Sequence, residues 1–566
     1  ADGNVLTMIK PDGRVTSYQY DLLDRMISQS VQGTDEYGNP ADITTRTTYD
    51  FAGNPLTVTD ANGNITQNIY NKRGLLEKTI DPEGGVTAYS YDNAGRMTIR
   101  VTPGNYTSGA ALTEMSRAAY TYDSMNRVIL EQDIYYDEAA RGFRTITAKA
   151  CQYDQNGNMT KELDALGYES GTGTTIADQI SSGYGTVYTY NEANLLLTEQ
   201  SPVSRERGLE SDTGYAYDGA GRKISETNAN NVVKKYYYDD AGRLTKASFI
   251  DPVDGKEKLL QQNSYDYMGN VLTQTDGNGN TTTFSYNSLG LLRSQTKSGD
   301  ESVAAYTVSN QYNALGQLAC KKDSMGRVLL STYDHNGKVL SQTEQRADAG
   351  ESITTANAYD KNGNLRFSTD ANGVTTETAY DGLNRVLSTK TAVGGINHVA
   401  ANAYDGNGNI VAATDWLGNT YTGEYDALNR LVKKTDPYGR RMIERYEYND
   451  NHARIKAYDG VGSITEFAYD KNNRLLTTTD PAGNVTAQTY DNVGNIATDE
   501  DGSHHVTTYG YDGLNRLNKV TNAKGEITSY TYDLNGNMLT EKDAKGNTIT
   551  FIYNPLNLLK QKAEPK

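Results

Sequence analysis

The chain has 566 residues, a formal net charge of -17, 36% hydrophobic residues and a mean hydropathy of -0.69. A chain so poor in apolar side chains buries little surface per residue and would by composition alone lean toward disorder. Its acidity disfavours nucleic acid as a partner, and it has no run of about 18 apolar residues to span a membrane as a helix.

Taken from the N-terminus, the chain opens inside a pattern. "ADGNVLTMIKPDGR" puts Gly3 and Gly13 at two turn slots, followed by Tyr20-Asp21. Near the same end, Tyr49-Asp50-x-x-Gly53 is followed by Asp60-x-x-Gly63, then by Tyr70 and Tyr91, so that successive tyrosines lie 21 residues apart. An Asp able to bond its own downstream backbone, two helical-region residues and a residue tolerant of positive φ spell a type I turn closed by a left-handed position, as in a hairpin with a G1-type bulge. Asn is the next best residue after Gly in that slot, as at Asn384 and Asn473. Between turns lie six or seven residues of alternating Thr, Tyr, Val and Leu, which predicts strands.

Through the middle of the chain the anchors continue irregularly: Tyr122, Tyr153, Tyr190, Tyr217, Tyr238, Tyr265, Tyr286, Tyr312, Tyr333, Tyr359, Tyr380, Tyr404, Tyr425 and Tyr448. The extra residues always fall at the second turn of the repeat, as in "DPVDGKEK" (251–258), "KSGDES" (297–302) and "RADAGES" (346–352), with larger inserts around 101–116, 131–148, 164–186 and 201–212. Consecutive turns of a meander lie on opposite edges, so the length variation belongs to one edge. Longer second hairpins either reach a neighbouring pass of a spiral or are tolerated loop growth. Toward the C-terminus the 21-residue register returns with Tyr469-Asp470, Asp480-x-x-Gly483, Tyr490-Asp491-x-x-Gly494, Tyr511-Asp512, Tyr532-Asp533 and Tyr553.

These anchors define 23 repeats of two strands and two turns, an array covering 1–566 that is cut within a repeat at both ends. The predicted fold is all-β with negligible helix: one antiparallel sheet of tandem hairpins. About 46 strands at about 4.8 Å give a ribbon of roughly 220 Å, too long to stay open and flat, so it should coil into a hollow spiral shell. Tyr supplies 44 residues against 7 Phe and 1 Trp, often as Tyr-x-Tyr, which predicts stacked ring ladders on one partly wet face.

The pattern Tyr-Asp-x-x-Gly-Asn or Asn-Arg, followed by Thr-Asp-x-x-Gly-Asn-x-Thr, resembles the YD-repeat or RHS-repeat proteins: bacterial RHS and wall-associated polymorphic toxins, the shell component of Tc toxins and the YD shell of teneurins. The resemblance implies a cocoon around a C-terminal toxin or effector domain in a secreted or surface protein, with the Tyr and Asp anchors structural. Members usually end in an aspartate-dependent self-cleavage segment. This chain ends in register at "YNPLNLLKQKAEPK", and the Asp-Pro pairs at Asp81, Asp251, Asp436 and Asp480 read as turn prolines.

No chemical motif stands out. The sequence lacks a P-loop, a Gly-x-Ser-x-Gly elbow, His-Glu-x-x-His and Cys-x-x-Cys, so catalytic, cofactor and metal residues are all expected to be none. Cys151 and Cys320 read as free thiols. His504-His505 near Asp499 and Asp501 is a weak metal candidate, because adjacent residues on a strand face opposite ways. "DGNGNTT" (276–282) imitates part of a calcium loop but lacks its later ligands. Arg385, Arg430, Arg474 and Arg516 at turn exits either line a rim or are solvated. Three function classes follow: a non-catalytic shell around the protein's own effector domain, an adhesion module binding a receptor or glycan, and, third, an enzyme, disfavoured because the paired carboxylates belong to turns.

Overall fold

A computed structural model describes residues 3–565 except 139, 302, 347–349, 351 and 440. The described residues form a 47-stranded sheet in which strand content is 53% and helix 4%. The chain divides into two compact units, 1–146 with 310–446 and 459–461, and 147–309 with 447–458 and 462–566.

The repeat around Tyr490 shows the construction. Val485–Tyr490 pairs antiparallel with Ile496–Glu500, which pairs in turn with Val506–Tyr511. Thr489 stands opposite Thr498, but Tyr490 stands opposite Ile496, so Ala497 is an extra residue on the return strand. The second turn adds no such shift, since Glu500 meets Val506 and Thr498 meets Thr508. Because side chains alternate with period two, a repeat of odd length would turn each successive Tyr to the opposite face. The one-residue bulge restores the parity, and Tyr490 and Tyr511 share a face. The same shift occurs at Ile69/Tyr70, Ser90/Tyr91, Gly510/Tyr511 and Thr531/Tyr532.

Opposite faces therefore carry different chemistry. The face away from the anchor Tyr holds hydroxyl pairs one strand apart, such as Thr489 with Thr498 and Thr531 with Thr540, each at 2.6 Å between oxygens. The expected ladder of stacked Tyr rings is not built. Among the described residues the close ring pairs are Tyr37–Phe367, Tyr136–Phe143 and His398–Trp416. Anchors of successive repeats stand two strands apart, about 10 Å, which is too far for rings to touch.

The small helical content, 4%, belongs with the second-turn inserts. They fold into short helices, Ala165–Glu169, Ile176–Ser182 and Pro202–Glu206, begun by side-chain caps from Asp164, Thr175 and Ser201. They pack back on the strip and supply much of the apolar core: Leu163, Ala165 and Ile180 are buried in one, Val203 in another, and Ala88, Val101 and Met115 under the insert before Arg117. Buried Lys161 donates to the carbonyls of Ile180, Ser181 and Gly183, where the end of the Ile176–Ser182 helix leaves acceptors free.

Candidate functional site

The repeat residues act together as a small machine for closing turns. In the first turn at Asp491, the Gly494 N–H donates to the Asp491 carbonyl, and Asp491 Oδ1 accepts from the N–H groups of Val493 and Asn495. Gly494 has φ 94°, Gly483 86°, Gly53 93° and Gly63 92°, while Asn384 and Asn473 hold the same slot at 62° and 57°. Asp50, Asp60, Asp470, Asp480, Asp512 and Asp533 each receive the N–H of the fifth turn residue in the same way. Hydrogen bonds from Asn54 and Asn484 hold the Asp50 and Asp480 carboxyls below the usual carboxylate range. The Asp-Pro pairs at Asp81 and Asp480 lie in such closed turns.

The anchor tyrosines reach back across the sheet. Tyr490 Oη donates to the Leu475 carbonyl at 2.7 Å, Tyr511 to Ile496, Tyr532 to Leu517, Tyr469 to Arg454, Tyr91 to Leu76, Tyr70 to Pro55 and Tyr49 to Met26. Each acceptor is the strand residue opposite the preceding Tyr, beside its bulge, so one repeat satisfies a carbonyl of the last. Tyr553 occupies the same register, opposite Leu559.

The turn-exit arginines link repeats as well. Arg516 Nε bonds Asp512 of its own turn at 2.7 Å, its Nη1 donates to the Asp533 carbonyl of the next, and its guanidinium lies 4.9 Å from the Tyr532 ring centre. Arg474 sits on Asp470 and over Tyr490 at 4.5 Å, and Arg385 on Asp381 and over Tyr404 at 4.6 Å. Arg430 bonds Asp426 Oδ2 at 2.7 Å. These side chains are neither a free rim nor merely solvated; they lie flat along the edge.

Within each unit, an early stretch of strip meets a later one edge to edge, second turns against first turns. In the unit beginning at residue 1, Asn362 Nδ2 donates to Asp60 Oδ2 at 2.7 Å, and its Oδ1 accepts the Asn62 N–H at 3.1 Å. Asn62 Nδ2 returns the contact to Asp360 Oδ2 at 3.0 Å. Asn407 accepts from the Gly104 N–H at 2.7 Å. In the other unit, Asn451 donates to Asp164 at 2.8 Å and accepts from the Leu166 N–H, and Asn472 does the same for Ser201 and the Val203 N–H. Asn535 and Asn278 make a second reciprocal pair with Asp276 and Asp533. Where a first turn lacks the Asn, the second turn supplies the grip instead: Glu83 accepts from the Gly382 N–H, Asn105 donates to the Ala427 carbonyl, and Arg207 donates to the carbonyls of Tyr490 and Asp491. Short second turns at Asp60 and Asp276 join as fully as the long ones, so hairpin length does not decide which turns reach a neighbour.

One join is built differently. His335 is 8% exposed, neither of its ring nitrogens has a hydrogen-bond partner, and its ring lies so close to Gly33 that a Cβ there would come within 2.7 Å of Nδ1. It borders a cavity of about 530 Å³ shared with Arg14, Gln32 and Tyr333.

Of the weaker candidates, Cys151 and Cys320 are not joined in a disulfide. His504 Nδ1 pairs with Glu500 and His505 with Asp501, separately. No group of three or more His, Cys, Asp or Glu side chains able to hold a metal occurs among the described residues. Asp276, in the calcium-like stretch, spends its carboxylate on Asn280 and Asn535. Nor does any helix among the described residues have the length and apolarity to cross a membrane. Sequence reasoning did not single out Asn62, Asn278, Asn362, Asn451 or Asn535. The available signal was an Asn at the third position of a turn, where no turn geometry requires one.

A meander of hairpins with bulge-locked tyrosines and amide-joined edges defines a class of β-repeat wall. The RHS Repeat family model matches residues 1–35, 70–107, 265–302, 359–396, 404–441, 469–504, 490–527 and 519–548, and the chain is an RHS-repeat (YD-repeat) protein. No curated protein sequence matches it. Among solved structures, the crystal structure of TcdB2-TccC3-Cdc42 superposes with TM-score 0.67 at 16% identity, covering 96% of this chain and 31% of that one. TcdB2-TccC3 without its hypervariable C-terminal region gives 0.67 at 14%, covering 98% and 34%. A Photorhabdus luminescens Tc holotoxin pore gives 0.67 at 16%, covering 97% and 31%. The chain thus spans about a third of the length of the structures it resembles.

Proposed function

We propose that this array is a stretch of the wall of a shell that encloses a toxin or effector domain of its own, longer polypeptide, in a protein released from the cell. The observation that carries the reading is the edge-to-edge joining of second turns to first turns, which turns a ribbon of hairpins into a continuous surface rather than a row of separate loops. The fold shared with Tc toxin structures supports it. So does the chemistry of the two faces: Tyr hydroxyls are consumed by bulge carbonyls and Thr hydroxyls by one another, so neither face offers a strong grip to a chain held against it. On this reading the array is a single non-catalytic domain over 1–566, and its Tyr, Asp and Gly anchors are structural.

The test is limited proteolysis of the full-length protein. The enclosed segment should resist digestion while the repeats are intact and become sensitive when they are opened. Digestion of that segment at the rate of a free peptide, with the repeats surviving, would favour the second reading, an adhesion module for a receptor or glycan. Exposed turn-edge side chains such as Phe51, Tyr267 and Leu417 favour that second reading.

A further inference from the structure

We propose that an asparagine amide at the third position of a first turn is the recognition element by which one pass of the strip takes its place on another, and that its near-absence from the early first turns keeps copies of this chain from stacking end to end.

The grip has a constant grammar. At Asn362, Asn451 and Asn472 the amide oxygen accepts a backbone N–H two residues past the start of a second turn, and the amide nitrogen donates to the side-chain oxygen at that start. Asn407 makes the first of these contacts and Asn535 the second. The partners differ in length and form: Asp60 begins a short turn, whereas Asp164 and Ser201 begin helices. What they share is an oxygen at the start and an N–H two residues on, which is the pair of groups that a turn or a helix N-terminus leaves exposed. A single carboxamide, with one acceptor and two donors, matches that pair; a carboxylate, lacking the donors, does not.

The residue is distributed by edge. From Tyr333 onward, Asn occupies the third position in the first turns at 336, 362, 407, 451, 472 and 535. Earlier first turns carry Ala, Leu or Met there, as at Ala52, Ala193, Ala220, Ala241, Met268 and Leu289, except for Arg73 and for Asn156, the one early Asn. Meanwhile the second turns of the later stretch keep the receiving groups. Asp370, Asp480 and Asp543 bond only within their own turns, each taking the third-position N–H on its own Oδ1. A second copy presenting its early first turns to these receivers would offer mainly Ala, Leu and Met side chains to a carboxylate and an N–H, with the Arg73 guanidinium already bonded to the Asp92 and Asn93 carbonyls. Such a head-to-tail contact would have no closure and would propagate as a fibre. Leaving out the amide removes the means of recognition while preserving the turn.

The first arm of the test is hydrogen exchange on the chain. In N451A, and in the same-shaped N451D, the Leu166 amide should exchange at least about tenfold faster, with the denaturation midpoint little changed. N156A, which has no partner across an edge, should leave every protected amide as it was. The second arm installs the amide with A193N, A220N, A241N and M268N together. This variant should associate reversibly in sedimentation at concentrations where the unaltered chain stays single, and adding D480A and D543A should restore the single species. Unchanged Leu166 protection in both Asn451 variants, failure of the fourfold variant to associate, or stacking by the unaltered chain would each overturn the proposal.

Discussion

At the scale of single residues, the array depends on a few conformations that only certain side chains tolerate. Gly494 has φ 94°, and a Cβ there would have open space apart from Arg474 Nη1 at 3.7 Å. Gly494→Val should therefore cost stability through backbone strain rather than collision, by roughly 1–3 kcal/mol, read as a lowered denaturant midpoint. Asn473→Gly, at φ 57°, should be neutral or slightly stabilising in the same titration. Tyr490→Phe keeps the ring under Arg474 but leaves the Leu475 carbonyl unmet, and should cost about 1 kcal/mol. The Asp-x-x-Gly turns were legible in the sequence because their chemistry is local. The clasp asparagines were not, because their own turns do not call for an amide: Asn362 and Asn451 donate to Asn384 and Asn473 of the next first turn, 22 residues on, and to Asp60 and Asp164, 302 and 287 residues away.

At the scale of the element, the bulge and the edge contacts set what the strip tolerates. Deleting Ala497 removes the bulge and also makes the repeat even in length, so Tyr490 and Tyr511 should keep one face. Deleting a residue of the unbulged strand instead, such as Thr507, leaves the bulge uncompensated and should expose Tyr511 and the anchors after it, or force a local register shift, seen as lost amide protection confined to the neighbouring hairpins. Strand positions were readable from period-two alternation, whereas the bulge was implied only by the odd repeat length. The short helices in the inserts escaped notice because segments of five to seven residues show too little periodicity. The His335 contact is the element-scale weak point under acid. Burial lowers the pKa of its imidazole below 6.5, Asp334 opposes that shift, and Arg14 and Lys10 add to it. A depressed folded-state value means the contribution is complete above about pH 6.5 and is lost as pH falls through the folded value. Between pH 7.5 and 5.5 the unfolding midpoint should drop, and His335→Asn should drop less; equal drops would remove His335 from the account.

At the scale of the whole molecule, the net charge of -17 is not held as free carboxylates. Much of it sits on turn aspartates whose carboxyls are held low by their own turns, through side-chain bonds from Asn54 and Asn484 at Asp50 and Asp480, and through backbone bonds from Arg222 and Arg243 at Asp218 and Asp239. Their folded values lie below the unfolded ones, so the stabilisation is present above about pH 4 and disappears as pH falls further. Acid unfolding should therefore show a main loss below pH 4, common to many repeats and distinct from the His335 step; a single transition centred near pH 6 would contradict this.

The bulge has a consequence for how such a gene can change. Because each 21-residue repeat carries its own parity correction, excising or duplicating a whole repeat leaves every downstream Tyr facing as before. Removing a single hairpin arm, or any fragment that separates the bulge from its turn, would turn the remainder of the strip inside out. Gain or loss of repeats in whole-repeat steps therefore leaves the inner and outer faces with their identities, whatever the copy number.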